Sequence, residues 1–82
     1  MTAEQCRAAR ALLNWSQDHL AAQASISVTT LRNFERGATA PVRNNLAALR
    51  SALEAAGVEF IPENGGGPGV RLAKRARRAR RA

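Results

Sequence analysis

The sequence predicts a mainly α-helical fold: a compact four-helix domain with a helix-turn-helix, followed by a short C-terminal β-hairpin and a disordered basic tail. Apolar residues recur three and four positions apart through the first 56 residues, the spacing of helices with one buried face. Residues suited to helix ends bound these stretches. After Gly57 the apolar residues alternate, which favours strands. We expect helices at about residues 3–13 and 17–24, between Ser27 and Gly37, and at about 43–56.

The stretch from Ser27 to Gly37 divides most clearly into two faces. Ser27 is a candidate N-cap, and Gly37 suits the left-handed position that often follows a helix. At about 100° per residue, Leu31 and Phe34 fall on one side of this helix. The other side carries polar side chains with two positive charges and no acid: Thr29, Arg32, Asn33 and Arg36. Because such a face gains most from contact with a polar, anionic surface, we interpret the stretch as a recognition helix for DNA.

The first two helices have recognisable starts. Thr2 and Gln5 have the spacing of a capping box, and Ser16 is a candidate N-cap for the second helix. Gln17 lies in the first turn of that helix, where free backbone N–H groups and the positive end of the helix dipole favour a phosphate. Only two residues separate the second helix from Ser27. A connection this short between two short helices predicts a helix-turn-helix.

Arg10 and Glu35 are charged residues that lie beside apolar stripes. At helical spacing Glu35 lies about 40° from Leu31, and Arg10 lies about 60° from Leu13. An unpaired carboxylate near the core is costly, so we expect an Arg10–Glu35 ion pair that joins the first helix to the recognition helix. The alternative is that each charge is solvated independently.

The chain after the fourth helix changes its composition twice. A hairpin over residues 58–72 would need to pack on the helices or pair with another copy, and a flexible extension is the alternative. Residues 73–82 contain six of the thirteen lysines and arginines, and the seven others face six acids, so the chain before residue 73 is nearly neutral. We expect a helix-turn-helix domain at 1–57, a possible dimerisation element at 58–72 and a basic tail at 73–82 that is disordered when free. That tail either keeps the chain in solution or binds phosphates.

Composition bounds the class of function. The single cysteine, Cys6, permits no internal disulfide and is expected as a small core residue. With no signal-peptide pattern and no apolar run near the roughly 20 residues of a membrane span, we expect a cytoplasmic protein that does not associate with membranes. His19 is the only histidine, and the six acids are scattered. We therefore expect no metal, no cofactor, no small-molecule substrate and no enzyme activity.

Residues 3–56 together resemble the Cro and phage-repressor family of helix-turn-helix regulators, the XRE-like group. The resemblance rests on the ordered spacing of a set of residues: Arg10, Trp15, Ser16, Gln17, Leu20, Ala21, Ala24, Ile26, Ser27, Leu31, Glu35, Gly37, Pro41, Leu46, Leu49 and Leu53. Two features differ from the family pattern. Ser25 stands where the family often has glycine, and residues 58–72 replace the usual fifth helix, which often builds the family dimer.

The resemblance also implies roles for individual residues. Four side chains are implied to face base edges: Val28, Thr29, Arg32 and Asn33. Four others are implied to contact phosphates: Ser16, Gln17, Arg36 and Arg43. Arg10 and Glu35 match the buried ion pair of the family, in agreement with their positions on the two helices.

We interpret the sequence as a small transcriptional regulator of prokaryotic or phage type. Regulators of this kind are most often repressors, and a homodimer would bind a palindromic operator in double-stranded DNA. Two alternatives stay open at this point. The C-terminal segment could bind another protein, as an antitoxin does, or the arginine tail could bind RNA.

Overall fold

The computed structural model describes residues 1–74, which form four helices followed by two strands: α1 (Ala3–Leu13), α2 (Gln17–Ala24), α3 (Val28–Glu35), α4 (Arg43–Ala55), β1 (Val58–Ile61) and β2 (Gly69–Leu72). The predicted fold class of four helices with a helix-turn-helix and a hairpin is confirmed. Two boundaries differ from the sequence pattern: α4 ends at Ala55, one residue before the predicted end, and β2 begins at Gly69, one residue before Val70, where the apolar pattern of the second strand predicts its start. The disordered tail that the sequence predicts lies outside the described residues from position 75 onward.

Side chains before the first three helices explain where each begins. Thr2 and Gln5 form the capping box, with Thr2 Oγ1 accepting from the Gln5 N–H at 3.0 Å and Gln5 Oε1 accepting from the Thr2 N–H at 2.9 Å. The hydroxyl oxygens of Ser16 and Ser27 accept from backbone N–H groups in the first turns of α2 and α3. These caps fix the start of both helices of the helix-turn-helix.

The turn between α2 and α3 uses a left-handed residue. Ser25 has φ 58° and ψ 43°, the conformation that glycine adopts without a steric penalty. A residue with a side chain costs roughly 1–2 kcal/mol there. The half-buried Ile26 follows and packs against the core. The chain therefore makes the same tight turn that a glycine would allow, at some cost in stability.

The four helices enclose one core. Six of its side chains have no solvent exposure: Cys6, Ala9, Leu20, Leu31, Leu49 and Leu53. They come from all four helices; α3 packs on α1 and α2, and α4 packs on α2. No helix within residues 1–74 is long and apolar enough to cross a membrane.

The hairpin packs on the helices. Val58 pairs with Leu72, and Phe60 pairs with Val70, in antiparallel register. Val58 is only 2% exposed, and the other three side chains pack against the core. Gln5 is buried beneath the hairpin, where its Nε2 donates to the first carbonyl of β2 at 3.0 Å. Of the arrangements that the sequence left open, packing on the helices is the one that the structure shows.

Candidate nucleic-acid interface

The outer side of α3 carries most of the side chains predicted to face bases. Leu31 is fully buried on the inner side of the helix. Thr29 and Arg32 are exposed, and Asn33 is partly exposed. Val28 is half-buried and packs against the core, so only part of its side chain reaches the surface. Hydroxyl, guanidinium and amide groups therefore lie close together on one accessible helix face.

One hydrogen bond and one long ion pair involve the side chains of this face. Arg36 Nε donates to Asn33 Oδ1 at 3.1 Å, which leaves the Asn33 amide N–H groups directed away from that contact. Arg32 Nη2 lies 3.9 Å from Asp18 Oδ1, with the two side chains 56% and 79% exposed. A solvent-exposed pair at that distance restrains Arg32 little. Both Arg32 and Asn33 can therefore donate to acceptors on base edges or phosphates.

The residues predicted to contact phosphates lie at the ends of three helices. Ser16 and Gln17 are at the start of α2, Arg36 follows the end of α3, and Arg43 begins α4. Ser16 and both arginines are exposed. Gln17 is partly buried, because its Nε2 donates to Glu35 Oε1 at 2.9 Å. Polar and cationic groups at several helix ends suit phosphates that follow one another along a duplex backbone.

Arg10 and Glu35 lie in contact and form a bidentate ion pair. Arg10 Nε is 2.7 Å from Glu35 Oε2, and Arg10 Nη2 is 2.7 Å from Glu35 Oε1. The Glu35 side chain is 3% exposed and that of Arg10 is 20% exposed. Arg10 Nη1 also donates to the Trp15 carbonyl at 3.0 Å. One guanidinium therefore links α1, the segment before α2, and the C-terminal end of α3.

Two further donors reach Glu35 that sequence reasoning did not assign to it. Gln17 is one, and Cys6 Sγ is the other, at 3.2 Å from Glu35 Oε2. The contact of Cys6 could have been predicted from the sequence, because Cys6 lies one helical turn before Arg10 and so shares a face of α1 with it. Gln17 gave no such signal, since its contact depends on how α2 crosses α3.

These contacts determine which groups are charged. Burial raises the pKa of Glu35, but the hydrogen bonds from Arg10, Gln17 and Cys6 outweigh it, so the pKa lies below its ordinary value of 4.5. The hydrogen bond to Glu35 raises the pKa of Arg10. Burial, together with the hydrogen bond to Glu35, raises the pKa of Cys6, so its thiol remains a donor. The cluster is therefore an ionised pair supported by two neutral donors.

No group of three histidine, cysteine, aspartate or glutamate side chains that could hold a metal ion occurs within residues 1–74. His19 instead contacts the Trp15 ring edge-on, with ring centroids 4.5 Å apart.

The α3 surface itself carries hydrogen-bond donors and positive charge, the groups that proteins use on bases and phosphates.

Comparison with protein-family models gives a match to the model described as helix-turn-helix, over residues 7–58. The matched region contains the whole of α2, α3 and α4, most of α1 and the first residue of β1. A search of curated proteins gives no match.

Proposed function

The chain belongs to the XRE-type helix-turn-helix family of DNA-binding transcription regulators, and we propose that it is a sequence-specific repressor that binds a palindromic operator as a homodimer. The observation that carries this proposal is the outer face of α3, where Thr29, Arg32 and Asn33 offer groups of different hydrogen-bonding character on one accessible surface. A major groove presents a distinct donor and acceptor pattern for each base pair, so such a face can discriminate sequences.

Each of the four α3 side chains proposed to face bases has a role that follows from its chemistry. The Asn33 amide suits adenine, and the Arg32 guanidinium suits guanine or a phosphate. Thr29 can donate or accept, and the exposed part of Val28 offers an apolar contact to a thymine methyl group. These four residues would read bases, while the phosphates position the protein without identifying the sequence.

The phosphate contacts would come from the helix ends. Ser16 and Gln17 lie at the start of α2, where backbone N–H groups and the helix dipole favour an anion. Gln17 uses one N–H on Glu35 and has a second for a phosphate. Arg36 and Arg43 add exposed positive charge near α3 and at the start of α4. These contacts would hold α3 in register within the groove.

The proposed mechanism is steric and involves no reaction. Proteins of this family are not typically enzymes. In the proposed mechanism, the repressor acts in the cytoplasm by occupying DNA that polymerase would otherwise use. One copy of α3 offers only four or five contacting side chains, so a monomer should bind weakly. Two copies with their recognition helices about 34 Å apart would contact two half-sites at once.

The hairpin at residues 58–72 is the proposed dimer contact. Within the described residues β1 and β2 form a two-stranded sheet, so each has an edge without a partner strand. An open edge offers backbone donors and acceptors to a strand from a second copy. The same edge favours the second candidate function, an antitoxin-like module that binds another protein through its C-terminal segment.

Selection of bound sites from random duplex DNA tests the repressor proposal. We expect enrichment of two inverted half-sites with centres about 10 base pairs apart, and sedimentation of the bound protein as a dimer. Enrichment of a single asymmetric site, or none, contradicts the palindromic operator. Co-purification of a stoichiometric second chain favours the antitoxin-like alternative, and stronger binding to structured RNA than to the selected duplex favours an RNA binder.

A further inference from the structure

A groove of about 430 Å³ lies where α1, α2 and α3 meet. Four arginines, one glutamine and one carboxylate line it: Arg7, Arg10, Gln17, Arg32, Glu35 and Arg36. The carboxylate is fully occupied, since Glu35 accepts from Arg10, Gln17 and Cys6. The pair of Arg10 and Glu35 is electrically neutral. The other three arginines of the groove have no close carboxylate within residues 1–74, and only Arg32 has a distant one, an exposed aspartate at 3.9 Å.

Arg7 differs from the two arginines that form close ion pairs on α4 and β2. Its Nη1 donates to the backbone carbonyl of Glu35, at the end of α3. Within residues 1–74 no carboxylate lies within ion-pair distance of Arg7, whereas Arg50 and Arg71 each lie within 3.1 Å of a glutamate oxygen. The carbonyl contact therefore holds Arg7 at the groove without neutralising its charge.

We propose that Arg7 is a further phosphate-binding residue, and that the groove seats one backbone phosphate of the DNA whose bases α3 contacts. A guanidinium has five donors in a planar fork and binds phosphate with paired hydrogen bonds, so the single contact to Glu35 leaves Arg7 able to bind an anion. Arg32 and Arg36 line the same groove from the recognition helix, which places it beside the proposed DNA-contacting face. The inference rests on the proposed function, and it adds a residue of α1 to the phosphate contacts.

The competing explanation is that Arg7 only caps the C-terminal end of α3. A cation there is favourable with respect to the helix dipole, so its removal would lower stability in either case. The two roles differ in the salt dependence of DNA binding, because only a phosphate contact releases counterions.

The experiment measures binding of the full chain to a random-sequence 30-base-pair duplex between 50 and 200 mM salt. Arg7→Gln should make the slope of log affinity against log salt shallower by about 0.9. The ratio of wild-type affinity to Arg7→Gln affinity should therefore fall about 3.5-fold between the lowest and the highest salt concentration. Arg7→Lys should keep most of the wild-type slope, because it keeps the charge. Arg50→Gln removes the same charge from α4, where Arg50 pairs with Glu54 and does not line this groove, and should leave the slope unchanged. Urea unfolding identifies the fraction of each variant that is folded.

An unchanged slope in Arg7→Gln overturns the proposal, whether or not stability falls. So does an equal loss of slope in Arg50→Gln, which would indicate a general charge effect, or a slope in Arg7→Lys as shallow as in Arg7→Gln. The random-sequence duplex keeps this result separate from the operator proposal. Failure to select any preferred site contradicts sequence-specific repression, while the slopes still report whether Arg7 contacts phosphate.

Discussion

Replacement of Arg10 by methionine should destabilise the domain strongly. The change removes two hydrogen bonds of 2.7 Å to Glu35 and one of 3.0 Å to the Trp15 carbonyl. Methionine is close in length and keeps much of the apolar contact of the arginine stem. What remains is a carboxylate that is 3% exposed and no longer has its cationic partner.

The expected cost is about 3 kcal/mol. Removal of one partner from a buried ion pair typically costs about 3–5 kcal/mol, because the other charge stays buried without compensation. Two features place Arg10 at the low end of that range. Its side chain is 20% exposed, and Gln17 and Cys6 still donate to Glu35 after the change. A chain of this length has a total stability of about 4–12 kcal/mol, so the loss should be easily measured.

A double-mutant cycle in urea unfolding tests the coupling directly. Combining Arg10→Met with Glu35→Leu removes both charges, and the double variant should recover much of the stability that Arg10→Met alone removes. Arg50→Met is the control: its pair with Glu54 at 3.1 Å is about half exposed on both sides, and the change should cost less than about 1 kcal/mol. Additive losses for Arg10 and Glu35 would refute a direct interaction between the two side chains.

Four further outcomes are expected. The pKa of Glu35 in the folded protein lies below 4.5, so its contribution to stability is present above pH 4.5 and is lost as the pH falls through that lower pKa. The urea midpoint should therefore drop less in acid for Glu35→Leu than for wild type. Asn33→Ala should cost about 1–3 kcal/mol on the best DNA site and relax one position, and an equal loss on every sequence would reduce Asn33 to a backbone contact. Deletion of residues 73–82 should make the salt slope of DNA binding shallower by about 0.9 for each phosphate that the tail binds in the full chain, and it should preserve base preference. Failure to dimerise with an unchanged slope would instead indicate that the tail is an assembly element. Ser25→Gly should stabilise the turn by about 0.5–1 kcal/mol in thermal unfolding, and Asn14→Gly, at a left-handed position that asparagine tolerates better, should stabilise less.

Periodicity and capping chemistry are sufficient to predict the elements of this fold. The starts of α1 and α2 follow from Thr2 and Ser16, because a capping side chain fixes where a helix begins. The Arg10–Glu35 pair can be anticipated because each charge lies beside an apolar stripe on its own helix. Both inferences use information that lies within one helix.

Contacts that depend on how the helices cross are not predictable in the same way. The Gln5 side chain completes the capping box of α1, and no local pattern indicates that its amide also reaches the hairpin carbonyls. The position of Gln17 predicts contact with a phosphate, and its bond to Glu35 depends on the angle between α2 and α3. Arg7 lies three residues before Arg10 and so shares its side of α1, but its contact with the end of α3 depends on how α1 crosses α3.

The ion pair lines the proposed phosphate groove, yet the effects of the two on DNA binding can be distinguished by variants that change the charge of the groove and variants that do not. Arg10 and Glu35 contribute one positive and one negative charge to the groove, so their joint replacement by methionine and leucine leaves its net charge unchanged. The double variant should therefore keep the salt slope of the wild type as long as it folds. A change in its affinity would then come from the orientation of α3 or from the release of Gln17, because Glu35 joins α3 to Arg10 of α1 and to Gln17 of α2. Arg7→Gln, by contrast, changes the charge and leaves the pair intact, so the two variants distinguish the positioning of the recognition helix from the binding of phosphate.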